Sequence, residues 1–122
     1  MVMIFSNKKV RDYLLSNGLV YTYRKNHRKT PDGIRPQVGK DWATDMRTGK
    51  KIADIFITVM EPIDSQNMRQ VLNKYARESG FYLGLGRVDD AVSEWARAIN
   101  SLNPKEPTAG WIYRVEVIGT DS

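Results

Sequence analysis

Apolar and polar residues separate most clearly in Lys51-Ile-Ala-Asp-Ile-Phe-Ile-Thr-Val-Met60. Ala53, Ile55, Ile57 and Val59 form one wholly apolar set. A period of two predicts a strand with that set facing the core and Ile52, Asp54, Phe56, Thr58 and Met60 on the other face. Pro62 is expected to close this strand, because proline cannot donate to a ladder. The same reading gives strands over Val2–Phe5, Leu19–Arg24, Lys40–Met46 and Trp111–Ile118. In Leu19–Arg24, Tyr21 and Tyr23 share one face, and Val20, Thr22 and Arg24 the other. In the last strand Trp111, Tyr113, Val115 and Val117 oppose Ile112, Arg114, Glu116 and Ile118.

Three helices interrupt the strands. Val10, Tyr13 and Leu14 fall at i, i+3, i+4, after a cap at Ser6 or Asn7 and before a stop at Asn17-Gly18. Met68, Val71, Leu72 and Tyr75 make a second stripe, with Asp64 or Ser65 as its cap and Ser79-Gly80 as its stop. Val92, Trp95, Ala96, Ile99 and Leu102 make a third, which starts near Asp89 with acidic residues suited to a helix N-terminus and ends before Pro104 and Pro107. The order β-α-β-loop-β-β-α-α-β does not repeat βαβ units. It predicts an α+β domain with about five to six mostly antiparallel strands in a compact sheet or barrel and two to three flanking helices.

The 122 residues suit one domain spanning 1–122. Apolar residues make up 41% and charged residues 27%, an ordinary globular composition. There is no cysteine, so disulfides, thiolate metal sites and cysteine nucleophiles are excluded. His27 is the only histidine, too few nitrogen ligands for a zinc site and without a serine–glycine elbow to serve. No metal or other cofactor is implied. Gly84-Leu-Gly86 is a lone G-x-G without the full dinucleotide fingerprint and reads as a turn. The apolar run in MVMIFSNKK is short for a signal peptide, and no stretch approaches the roughly 18 apolar residues of a membrane span. A cytoplasmic, monomeric protein without membrane contact is expected.

Charge changes the picture more than composition does. The chain carries +5, yet Arg24 to Lys51 alone holds nine basic residues against three acidic ones, a net of +6. The rest sums to −1. Such concentration in under a quarter of the chain points to a polyanion, nucleic acid first, or to a solvated basic face. Within it, Arg24, Lys25, Arg28, Lys29, Arg35 and Lys40 are candidate phosphate contacts, and His27 either stacks on a base, donates to phosphate or is merely exposed. Trp42 is either a stacking platform for an unpaired base or a seal on the end of the sheet.

Several stretches together resemble the ASCH domain, a branch of the PUA-like superfamily. They are Asn17-Gly18-Leu-Val-Tyr-Thr22-Tyr-Arg24, a Gly-Lys turn into an apolar strand, Arg77-Glu78-Ser79-Gly80-Phe81, Glu94-Trp95 and Gly110-Trp111-Ile-Tyr113. The resemblance covers roughly Val10 to Ile118. It implies a small β-barrel with flanking helices and a cleft lined by Thr22, Arg24 and Glu78. Domains of this family are associated with binding of RNA or modified nucleosides. Some bacterial members hydrolyse N4-acetylcytidine with a lysine, a threonine and a glutamate, and others are described as ribonucleases. Here Leu19 stands at the lysine position, and leucine cannot activate a hydroxyl. The resemblance therefore implies an RNA-binding module, RNA favoured over DNA, with Arg24 to Lys51 as its basic arm. If the protein is instead an enzyme, Thr22 and Glu78 are its candidate catalytic pair; a third alternative is a protein-interaction domain.

Overall fold

The computed structural model describes residues 2–5, 7–25, 39–45, 49–82, 87–102 and 109–120. The elements run β1 (Val2–Ile4), α1 (Lys8–Asn17), β2 (Leu19–Arg24), β3 (Gly39–Thr44), β4 (Lys51–Asp64), α2 (Met68–Tyr75), a 3₁₀ turn (Ala76–Glu78), α3 (Val88–Ser101) and β5 (Ala109–Thr120). Among the described residues this is an α+β arrangement of five strands and three α-helices. The sheet order is β1-β3-β4-β5-β2. β3–β4, β4–β5 and β5–β2 are antiparallel, whereas β1 joins β3 in parallel, so the sheet is mixed.

The sheet curls into a half-barrel. Its two edge strands, β1 and β2, come back toward each other: Arg24 at the end of β2 donates to the carbonyl of Ile4 at the end of β1 at 2.7 Å. Inside the curl lie Ala43, Ala53, Ile55, Ile57, Val20, Tyr113 and Val115, all buried. The apolar face expected of β4 is thus the inner face as far as Ile57; Val59 is half-buried. The helices cover that face with Val10 and Leu14, Val71 and Leu72, and Val92, Trp95 and Ile99, one continuous core.

Local chemistry sets the element ends. Asn7 caps α1, its Oδ1 accepting from the backbone N–H groups of Lys9 and Val10. Gly18 ends it in the left-handed conformation, φ 77°, with its N–H donating to the carbonyl of Leu14. Asp89 and Asp90 occupy the first turn of α3.

Three expectations are corrected. Pro62 does not close β4, which runs on to Asp64. β3 pairs only with Lys51–Ile57, so one side of β4 is open beyond there among the described residues, and Met60 forms a bulge just before the proline. Proline is admitted at such edges and bulges. Neither Asp64 nor Ser65 caps α2, which Asn67 precedes; Asp64 serves the turn before it. Its Oδ1 accepts from the N–H groups of Gln66 and Asn67, closing a turn before a helix that begins only at Met68. Leu102 follows the end of α3 and is 56% exposed, so it falls outside the buried stripe.

Candidate functional site

The strand period puts Thr22 and Arg24 on one face of β2, and the curl of the sheet brings that face to the seam with β1. There they line a cavity of about 370 Å³. Tyr23 of β2, Ile4 and Phe5 from β1 and its end, the cap Asn7 and Val10 of α1, Phe81, and Trp95, Ala98, Ile99, Ser101 and Leu102 from α3 and its end complete the wall. The volume is within the range of small-ligand sites, roughly 300–1,000 Å³. Phe81 and Trp95 stand near-parallel, with ring centroids 6.1 Å apart. Arg24 has its guanidinium carbon 4.8 Å from the centre of the Phe5 ring. Carbonyl and ring together hold the cation in one place rather than leaving it to sweep the surface.

The wall is therefore mainly apolar and aromatic, with hydroxyls at Thr22 and Ser101, a carboxamide at Asn7 and a guanidinium at Arg24. Among the described residues it contains no carboxylate, histidine or lysine. Such a site can receive a flat ring and offer donors to an anion or a base edge.

The other candidate residues are distributed as follows. Glu78 is exposed on the 3₁₀ turn and is not part of the cavity wall. It lies instead by Tyr13, whose hydroxyl donates to the carbonyl of Arg77 at 3.2 Å and whose pKa is raised by burial and then by the Glu78 charge. Leu19 is half-buried and pairs with Glu116. Lys25 is exposed just past β2. Lys40 and Trp42 stand on the outer face of β3, opposite Phe56 and Asp54 of β4, and Trp42 is 38% exposed. Of the two tyrosines before the basic segment, Tyr23 is buried and Tyr21 half-buried. His27, Arg28, Lys29 and Arg35 lie outside the described residues, as does Gly84-Leu-Gly86.

Sequence reasoning did not assign Phe5, Asn7, Phe81, Trp95 or Ser101 to this site. Trp95 fits its helical stripe as a core residue, and it is one, at 3% exposure. Nothing in a one-dimensional pattern says that the same ring also forms a cavity wall.

A second polar cluster lies beside α2. The Tyr75 hydroxyl donates to Glu61 Oε2 at 2.5 Å, and Lys74 Nζ reaches Glu61 Oε1 at 3.2 Å. The Tyr21 ring packs on Tyr75, centroids 4.7 Å apart. Glu61 is held below its ordinary pKa, chiefly by the Tyr75 hydrogen bond. Burial, and then Glu61, push Tyr75 up to about 12.

Among the described residues there is no group of three or more histidine, aspartate or glutamate side chains placed to hold a metal ion, and no helix long and apolar enough to cross a membrane. No protein-family model, no curated protein and no solved structure matches the chain.

Proposed function

We propose that the protein is a nucleic-acid-binding module, for RNA in the first place, that seats a base or nucleoside in the cavity at the β1–β2 seam and grips phosphates with the basic residues between Arg24 and Lys51. The observation that carries this reading is the meeting of Thr22 and Arg24 in one aromatic-walled cavity at the root of the segment that holds all of the net positive charge. Aromatic walls accept any base by its π-face, a fixed arginine adds a directed donor, and neighbouring cations supply affinity by counterion release. In this scheme Lys25, Arg28, Lys29, Arg35 and Lys40 contact phosphates, and His27 joins them as a donor or stacks on a base.

The kinship with ASCH domains and the wider PUA-like superfamily belongs to the same proposal. The curled sheet and the shared cavity of Thr22 and Arg24 support it. Glu78 stands outside that cavity, so the three family positions do not meet in one site. Binding is favoured over turnover because the described wall lacks an acid–base group and Leu19 replaces the family's lysine.

The test is a titration of labelled single-stranded RNA, duplex RNA and DNA against the full chain at two salt concentrations, followed by a denaturing gel. Intact single-stranded RNA should bind best. With about five phosphate contacts, its affinity should fall about a hundredfold between 50 and 200 mM salt. Cleaved RNA would replace the module reading with an enzymatic one, and failure to bind all three would overturn it.

A further inference from the structure

Outside the cavity, the outer face of the half-barrel carries a second cluster of aromatic and basic residues. Trp42 lies opposite Asp54, and Phe56 lies two residues further along β4. The two rings are diagonal neighbours on one face, with Cα atoms roughly 7–8 Å apart. They are 38% and 43% exposed, although the core of this domain buries aromatics such as Phe5 and Trp95 almost completely. Lys40 is exposed directly opposite Phe56. One strand further on, Arg114 pairs with Tyr21 on the same face. Tyr21 is half-buried under Tyr75, so the exposed rings and the exposed cation of this face are gathered on β3 and β4.

We infer that this outer face is a stacking platform for the unpaired bases of single-stranded nucleic acid, with Trp42 and Phe56 as the stacking rings and Lys40 as a phosphate contact between them. The inference rests on the nucleic-acid reading above and adds to it a second, separate surface and a preference for single strands. Three observations favour nucleic acid over a protein as the occupant. The acidic groups of the face are already matched: Asp54 by Lys51 at 3.1 Å and Glu116 by Arg114 at 2.7 Å. Among the described residues Lys40 has no such partner, which leaves a net positive face. β3 also lies inside the +6 segment of the sequence, so these rings are close in the chain to its cations. An open outer sheet face with exposed rings suits bases that are splayed out, and duplexes hide those π-faces.

The experiment measures binding of short labelled single-stranded RNA by the full chain and by Trp42→Ala, Phe56→Ala and Trp42→Phe at two salt concentrations. Both rings are exposed, and circular dichroism and thermal melting check that the variants remain folded. The alanine variants should each lose about fivefold to a hundredfold in affinity, the range for removal of one stacking ring. Their salt slope should match the parent's, because stacking releases no counterions. Trp42→Phe should retain most of the affinity. Crosslinking of 5-iodouridine-labelled RNA should mark Trp42 or Phe56. Parent-like affinity in both alanine variants, with crosslinks elsewhere, overturns the platform and leaves the cavity reading standing. Self-association or a protein complex lost with Trp42→Ala, at unchanged RNA affinity, also overturns it in favour of a protein contact. A parent chain that binds no nucleic acid overturns both readings.

Discussion

Arg24 and Ile4 sit at the ends of the two edge strands, β2 and β1, and the arginine Nη1 donates to the isoleucine carbonyl at 2.7 Å. With Phe5 under the guanidinium, one side chain ties together the two margins of a curled sheet. A hydrogen bond from a charged group contributes about 1.5–3 kcal/mol, and a cation over a ring about 0.5–2 kcal/mol, toward the upper end for a buried ring such as Phe5. Arg24→Ala should therefore lower unfolding free energy by about 2–5 kcal/mol in a urea titration. Arg24→Lys should recover only part of that, because a lysine ammonium lacks the planar fork. If Arg24 serves binding by position as well as charge, Arg24→Lys should weaken RNA binding while leaving its salt slope unchanged.

Tyr23 and Gly110 make the second tie between β2 and its neighbour. The Tyr23 hydroxyl donates to the carbonyl of Ala109 at 2.8 Å, and its ring lies on Gly110. A Cβ at position 110 would stand 2.4 Å from the ring and 2.6 Å from the carbonyl oxygen of Arg24. One of those contacts is backbone, so no side-chain rotation relieves it. Gly110→Ala should cost at least the 1–3 kcal/mol typical of overpacking, about half of the stability of a marginal domain. Tyr23→Phe should cost only about 1 kcal/mol, the worth of one neutral hydrogen bond. Thermal melts of the two variants separate the steric from the polar contribution.

The parts of this fold that obey a simple period were legible in advance. Ala53, Ile55 and Ile57 needed only alternation, and Val10, Tyr13 and Leu14 only the helical repeat and the Asn17-Gly18 stop. The failures have a common cause in sheet topology. Pro62 ends a strand only where both edges are paired, and β4 is open on one side there. Asp64 is a good cap by type, but its carboxylate is already taken by the turn that precedes α2. The parallel placement of β1 beside β3 joins strands far apart in the chain and leaves no local signal. Part of the candidate site was legible by the same measure: Thr22 and Arg24 share a face by the strand period and line one cavity, whereas Glu78 lies outside it. Phe5, Phe81 and Trp95 reach that cavity only through the curl of the sheet and the docking of α3.

The Glu61–Tyr75 pair makes stability depend on pH at both ends. Glu61 has its folded pKa below the ordinary 4.5. Its contribution is full above that value and is lost as pH falls through the folded pKa. Tyr75 is raised from 10.0 to about 12, so the fold favours the neutral phenol. That contribution is full below pH 10 and is lost as pH rises from 10 to about 12. Urea midpoints measured across pH should fall on both sides of a neutral plateau. Tyr75→Phe should remove its share of the alkaline loss and move the Glu61 carboxyl titration upward, read by NMR. An unchanged Glu61 titration would mean that Lys74 alone sets it.

Thr22 offers the most direct test of the cavity. It is 7% exposed, on a strand whose neighbours Val20 and Tyr23 are buried, and it brings a hydroxyl to an otherwise mainly apolar wall. Thr22→Val keeps nearly the same shape and removes only that hydroxyl. If the hydroxyl meets a base or a ribose, affinity for single-stranded RNA should fall roughly two- to tenfold, the equivalent of one hydrogen bond. The melting temperature should hold or rise, because valine suits a strand. The salt slope should not move, because threonine touches no counterion. A tenfold loss with an altered slope would instead mean that the substitution shifts Arg24, two residues along the same face. Combining Thr22→Val with Arg24→Lys then decides the matter: additive losses indicate separate contacts with the ligand, and a shared loss indicates one coupled pair.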